Sequence, residues 1–370
     1  NIKAAGLYEK LLKDYPDSIF RDRAAYGLGW AHTNDNNPKS ATEAFARVSR
    51  KDLPLWIDAN LKRGFLMVRF NMDTDQTVRV YEELLKESTL TDQQRFESHL
   101  QAGIGKFNQS IYRQALDHFA KALELCPDDK RQPLQFYIAE AHFRLKNYKE
   151  AASEYASTIA LGPDSQLGQK SAYSLAWCHI RLGEPDKAIP HLEKQAANKT
   201  SAVRAESVKN LVDLLMNLHQ YEKAITAVDN GLDALPAAER AELAYIRALA
   251  ISRTGEFEKS LTAFADFVKK YPKHAKTDEA IYQTGLVNIA LSRFKEAIEY
   301  FEKVSSEKVD PDMREKAIYR IGECWFNLGN IKLAGDNFNK VIKLFPKGKA
   351  RYDALYQLGE LAYMQDSHAD

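Results

Sequence analysis

The chain has 370 residues, of which 45% are hydrophobic and 28% charged, a balance that suits a soluble fold with a large buried core. Its 52 basic and 51 acidic residues leave no net field to hold a polyanion, which argues against nucleic acid as a partner. The longest apolar stretch, GFLMVRF at 64–70, falls far short of the roughly 20 residues that a membrane-spanning helix needs, so no transmembrane segment is expected.

The first segment, YEKLLKDYPDS at 8–18, reads as an amphipathic helix stopped by Pro16, and near-copies return as FADFVKKYPKH at 264–274 and FNKVIKLFPKG at 338–348. Each copy carries a residue, usually small, four places before a large one: Ala4 and Tyr8, Ala41 and Phe45, Thr77 and Tyr81, Ala115 and Phe119, Ala151 and Tyr155. The series continues with Ala188 and Leu192, Ala224 and Val228, Ser260 and Phe264, Ala297 and Phe301, Ala334 and Phe338. Successive intervals are 37, 36, 38, 36, 37, 36, 36, 37 and 37 residues, the mark of an internal repeat.

A second series runs twelve residues ahead of the first: Gly29, Phe65, Gly103, Ala139, Ala176, Val212, Ala248, Gly285, Gly322 and Gly359. Two series in step predict a pair of antiparallel helices per unit. Small residues on the facing surfaces let the backbones approach, and the aromatic one turn on fills the space beside the contact. Gly183, Gly255 and Gly329 fall where a first helix ends, as a left-handed cap requires, and Pro16, Pro127, Pro163, Pro236, Pro272 and Pro346 close second helices. Thr77 and Phe65 interrupt the small-residue pattern, and NMDTDQ at 71–76 is loop-like, so an irregular join with a bend or softer packing is expected around 50–100. In this frame residues 1–370 form a single solenoid that opens inside a second helix and stops after a first one, ARYDALYQLGELAYM at 350–364; further sequence on both sides of the natural chain is expected.

YRQALDHFAKALELCP (112–127), YKEAASEYASTIALGP (148–163) and FEKSLTAFADFVKKYP (257–272) resemble the second helix of a tetratricopeptide repeat, and the likeness covers essentially the whole chain. It implies an all-α, right-handed superhelical solenoid of about ten stacked antiparallel helix pairs, each burying its apolar face on a near-copy of itself. The units are longer than the basic repeat of about 34 residues. The added residues follow the proline in YPDSIFRDRAAYGLG (15–29), YPKHAKTDEAIYQTG (271–285) and FPKGKARYDALYQLG (345–359). That pattern resembles the bacterial cell-envelope branch, which includes the outer-membrane assembly lipoprotein of the barrel-inserting machine and the periplasmic coordinator of the Tol-Pal system. The resemblance implies a periplasmic or outer-membrane-associated location, with the cytoplasm as the alternative, and a place in a membrane-associated complex.

The sequence has no Gly-rich phosphate loop, HExxH, paired CxxC or nucleophile elbow, so a non-enzymatic chain without cofactor or metal is expected. His142 and His179 share one repeat position, three residues after Ala139 and Ala176, where the family usually packs a tyrosine; they read as packing residues, with a metal or proton site as the alternative. Cys178 and Cys324 occupy equivalent positions 146 residues apart, too distant along a solenoid for a disulfide, and Cys126 stands alone.

In the family the first helices line the concave face, where ligands bind. Three residues before each landmark stand Tyr26, Phe136, Tyr173, Tyr245, Tyr282, Tyr319 and Tyr356, and five after it stand Asn34, Asn108, Arg144, Arg181, Asn217, Arg253 and Asn327. An aromatic ladder beside amide and guanidinium donors suits an extended peptide or protein segment, so the expected partner-binding residues are Tyr173, Tyr245, Tyr282, Tyr319, Arg181, Arg253 and Asn217. The ladder admits a second reading, in which the tyrosines pack between helices with hydroxyls at the rim, and the donors admit one as solvated helix ends. Stability separates the two: an exposed Tyr245 or Tyr282 would tolerate alanine within about 0.5 kcal/mol, whereas a packed ring would cost about 3–5 kcal/mol. The lysine-then-asparagine clamp of chaperone-binding repeats is not matched, because the corresponding pairs are Lys62 with Leu66 and Lys209 with Asp213. The sequence thus points to a scaffold or adaptor that holds a protein partner within a bacterial envelope assembly. The alternative is a sensor or regulatory arm whose effector domain lies outside these residues.

Overall fold

A computed structural model describes residues 2–366, which form twenty α-helices, one 3₁₀ turn at Leu232–Ala234 and, among the described residues, no strand. The chain divides into two compact units, Asn1–His191 and Leu192–Asp370. The first holds α1 (Ile2–Asp14), α2 (Arg21–Asn34), α3 (Pro38–Phe45), α4 (Leu53–Arg69), α5 (Thr74–Leu84), α6 (Asp92–Asn108), α7 (Tyr112–Glu124), α8 (Asp128–Arg144), α9 (Tyr148–Leu161) and α10 (Gln166–Arg181). Helix α11 (Pro185–Ala197) runs across the division. The second unit continues with α12 (Arg204–Asn217), α13 (Tyr221–Gly231), α14 (Ala237–Arg253), α15 (Phe257–Lys270), α16 (Thr277–Ala290), α17 (Phe294–Lys303), α18 (Pro311–Asn327), α19 (Ile331–Leu344) and α20 (Ala350–Asp366). No helix among the described residues is long and apolar enough to cross a membrane.

Within each unit consecutive helices pack on one another, and the small-residue landmarks account for how closely. A Cβ placed on Gly29, Gly64, Gly103, Gly285 or Gly322 would lie only 2.5–2.6 Å from a ring atom of Phe45, Tyr81, Phe119, Phe301 or Phe338 respectively. All five rings are fully buried. The first-helix backbone is therefore in contact with the face of the second helix's aromatic, and Ala41, Ala115, Ala297 and Ala334 sit buried one turn before those rings.

In the second pair, Gly64 rather than Phe65 meets Tyr81, while Phe65 turns outward. The cause is loop length. Elsewhere five positions separate the left-handed residue from the small residue of the next helix, as from Ser110 to Ala115 or Gly329 to Ala334, but six separate Asn71 from Thr77. The extra residue moves α4 by one place relative to α5. Thr77 is itself buried and bonds back to the carbonyl of Asp73 at 2.7 Å.

Gly183, Gly255 and Gly329 adopt φ of 75°, 84° and 76°, the left-handed conformation expected of them. The same position in other units is held by Asn36, Asn71, Ser110, Lys146, His219 and Ser292, with φ between 49° and 64°. At most of these turns the following amide reaches back five residues, as from Asn147 to the carbonyl of His142 at 2.9 Å and from Asn330 to that of Trp325 at 2.9 Å, so the last carbonyls of the first helix are bonded. Second helices stop before their prolines: α1 ends at Asp14 before Pro16, α9 at Leu161 before Pro163 and α19 at Leu344 before Pro346.

One polar contact lies inside the α6–α7 interface. The Nδ1 atoms of His99 and His118 are 3.1 Å apart, so one must donate and the other accept. His99 is buried, and that burial, with the positive charges of His118, Lys121 and Arg95, pushes its pKa down to about 4. Burial also lowers the pKa of His118, against the opposing charge of Glu82. Both rings are neutral at pH 7.

Two outcomes are expected. In urea unfolding, Gly322→Ala and Phe338→Leu should show a coupling of about 0.5–3 kcal/mol in a double-mutant cycle, since the smaller side chain makes room for the added methyl; strict additivity would mean the close approach is not the constraint. An unfolded histidine takes its proton near pH 6.5, whereas His99 resists it to about 4. The stability the pair contributes should therefore be whole above about pH 6.5 and be lost as pH falls toward 4, by up to about 3 kcal/mol, and His99→Gln should flatten that slope.

Candidate partner-binding faces

Two rungs of the aromatic ladder, Tyr245 and Tyr282, are internal, whereas Tyr356 is exposed. Tyr245 is 6% exposed and packs 6.1 Å from the Phe264 ring and 5.8 Å from that of Phe267. Tyr282 is 7% exposed, with its ring 5.3 Å from Phe301. These two rings are not free to stack on a partner, because the large residue of each second helix that closes on the landmark residue also covers the tyrosine one turn earlier. Burial, with the nearby carboxylates of Glu279 and Glu242, raises the pKa of the Tyr245 hydroxyl, which stays protonated. Tyr319 is half-buried against Phe338 at 5.6 Å, and burial pushes its hydroxyl up to about 12. Tyr173 is also half-buried. Tyr282 and Tyr319 come together on a shallow pocket of about 260 Å³ that also contains Arg320, which bonds Glu323 at 2.6 Å.

The polar positions differ from the tyrosines. Arg181, Asn217 and Arg253 are the last residues of α10, α12 and α14, and all three are exposed. The guanidinium of Arg181 lies 5.7 Å from the Trp177 ring centre. Tyr173 and Arg181 are in the first unit, and Asn217, Tyr245, Arg253, Tyr282 and Tyr319 in the second.

A sizeable opening falls where the sequence pattern was irregular. In the first unit, α2, α4, α6 and the turn into α8 enclose a cleft of about 1070 Å³. Its floor is made by the buried side chains of Phe45, Leu66, Tyr81 and Phe96, while Trp30 (38% exposed) and Phe65 (52% exposed) stand at its edge. The ammonium of Lys62 lies 5.4 Å from the centre of the Trp30 ring. The available signal was Phe65 in a column of small residues, which marked an irregularity without revealing which way the ring points.

His179 bonds Glu184 through Nδ1 at 2.9 Å and stacks on His191 at 5.9 Å, and His142 lies on a different helix with a buried Nδ1 that has no hydrogen-bond partner among the described residues. All three thiols are buried and free; burial pushes those of Cys178 and Cys324 up to about 12, which keeps them protonated and poorly nucleophilic. Among the described residues no three His, Cys, Asp or Glu side chains are placed to hold a metal. Tyr245→Ala and Tyr282→Ala should each cost about 3–5 kcal/mol in urea unfolding; a loss within about 0.5 kcal/mol would contradict the packing described here.

Comparison with known proteins agrees on the architecture. One tetratricopeptide-repeat model matches residues 100–166 and 209–275, and a second matches 316–348. Lipopolysaccharide assembly protein B of Escherichia coli K12 is 24% identical over 223 residues, which are 58% of this chain and 54% of that protein; the protein of the same name from E. coli O157:H7 matches equally. The chain thus spans about half the length of the curated relatives it matches. Among solved structures, the apo form of RapI superposes with a TM-score of 0.49 at 12% identity over 88% of this chain and 98% of RapI. MamA of Desulfovibrio magneticus RS-1 gives 0.40 at 14% identity over 47% of this chain and 92% of MamA. These superpositions are too loose to bear on function. The recurring signature, the helix pairs closed by ring-on-glycine contacts and the repeat matches together give an all-α fold of stacked helix pairs that carries tetratricopeptide repeats.

Proposed function

We propose that the chain is a non-enzymatic scaffold that holds a protein partner on the faces of its first helices, within a bacterial envelope assembly. The observation that carries the binding part is the repetition of Arg181, Asn217 and Arg253, exposed donors at the last positions of first helices α10, α12 and α14, each of which has a buried face that holds it in place. A donor on a rigid element gives up less freedom on binding than one on a loop. Tyr173 and Tyr319 contribute their half-buried rings, while the buried Tyr245 and Tyr282 hold their helices in place. The compartment is supported by the extended linker phrase after the prolines and by the similarity to E. coli proteins named for lipopolysaccharide assembly. That likeness supports a periplasmic or outer-membrane-associated place.

The test is affinity capture from separate envelope and cytosolic extracts of the source organism, with the native chain set against an Arg181→Glu, Asn217→Asp, Arg253→Glu variant. Tyr245 and Tyr282 are left intact, because removing a buried ring would unfold the bait and mimic a lost contact. Envelope proteins held by the native chain and released by the folded variant are expected. Identical capture by both would remove these donors from the interface, and capture of cytosolic proteins alone would overturn the compartment.

A further inference from the structure

His118, on α7, faces two different partners. Its Nδ1 lies 3.1 Å from Nδ1 of His99 on α6, and its Nε2 lies 3.9 Å from Oε1 of Glu82 on α5, which Lys106 of α6 also meets at 3.0 Å. One side chain thus reaches both helices that precede it, and its protonation decides which contacts it keeps. With both rings neutral, one Nδ1 donates to the other. A first proton on His118 is tolerated, because its Nδ1–H still donates to a neutral His99 while its Nε2–H faces the Glu82 carboxylate. A second proton, on His99, leaves two N–H groups and two like charges facing each other with no acceptor between them.

The surroundings oppose that second proton without excluding the first. Glu82 of α5 and Asp117 of α7 favour a charged His118, whereas Arg95 and Lys106 of α6 and Lys121 of α7 act against added positive charge on the pair. There is little room to absorb the repulsion by sliding the helices. A Cβ on Gly103, one turn after His99, would lie 2.5 Å from the Phe119 ring and 3.3 Å from Cβ of His118. Charge on the two rings therefore bears on the same close approach that spaces α6 from α7. Helices α18 and α19 make the equivalent approach, Gly322 on Phe338, with no histidine in either helix.

We propose that His99 and His118 form a proton-operated clasp, closed while the pair carries at most one charge and opened by the second proton, which frees α7 from α6 as a local event. In a stack where each helix pair contacts only its neighbours, such an opening can stay confined. An opened His99 takes its proton near pH 6.5 and a closed one only near 4, so the clasp holds above about pH 6.5 and weakens as pH falls toward 4. At about pH 5, opening is favoured about 30-fold over its value at about pH 7.5 through this ring alone.

Hydrogen exchange of the full chain, read by mass spectrometry at about pH 7.5 and about pH 5 and corrected for the intrinsic pH dependence of amide exchange, tests the clasp. Peptides within 96–119 should lose protection about 30-fold at the lower pH, while peptides within 316–341 keep theirs. His99→Gln, whose amide can both donate to His118 and accept from it, should remove most of that loss, and His118→Gln serves as the second variant if the first does not reach the native circular dichroism. The comparison of the two segments in the native chain stands whether or not the variants fold. Equal loss of protection in both segments would make the acid effect global, unchanged protection within 96–119 would leave no clasp, and native acid sensitivity in a folded glutamine variant would assign the effect to other groups. Each of these results overturns the proposal.

Discussion

The contact on which the rest depends is a helix backbone laid against an aromatic ring. At Gly322 there is no room for even a methyl group before the ring of Phe338 is reached, and the same holds at Gly29, Gly64, Gly103 and Gly285. Helices of 8–17 residues have little stability alone in water, so their apolar faces must be covered by a neighbour. The ring does this covering and also sets the distance between helices, because it fills the whole gap. Its influence extends one turn along the first helix: Tyr319 rests on Phe338, Tyr282 on Phe301 and Tyr245 on Phe264. A residue that appears from its position to face outward is thereby drawn into the core.

The reversal after each first helix shows how much local strain the repeat accepts. Three units use glycine in the left-handed conformation, while Lys146, His219 and Ser292 adopt it with a side chain attached. An L-residue there is disfavoured by roughly 1–2 kcal/mol. The bonds from Asn147 to His142 and from Gln220 to Leu215 satisfy carbonyls that would otherwise end the helix unpaired, which offsets part of that cost.

The helix pairs were legible in the sequence because two columns of residues recur at a nearly constant interval and only a pair of packed helices needs both. The cap glycines and terminating prolines were legible for the same reason, each answering a local requirement of backbone geometry. The depth of Tyr245 and Tyr282 was less accessible, since helical position says which face a residue occupies and not how far its neighbour reaches over it. Phe65 was visible as an exception, yet its direction turns on one additional loop residue between Asn71 and Thr77 that moves Gly64 into contact with Tyr81. His99 and His118 belong to different helices, 19 residues apart, and no spacing rule in a single sequence relates them.

Repetition explains the stability of such a chain more readily than its selectivity. A contact copied from unit to unit, such as a ring on a glycine, is spent on holding helices together and offers every partner the same buried surface. Discrimination has to come from positions where the units differ. The donors at the helix ends already vary, with arginine at 181 and 253 and asparagine at 217, and Arg181 is further ordered by the Trp177 ring beneath it. The second pair differs more sharply: its shifted register turns Phe65 outward near Trp30, whose ring lies 5.4 Å from the Lys62 ammonium. A one-residue lengthening that would count as a defect in the repeat thus sets an aromatic ring outward where most other units place a small residue.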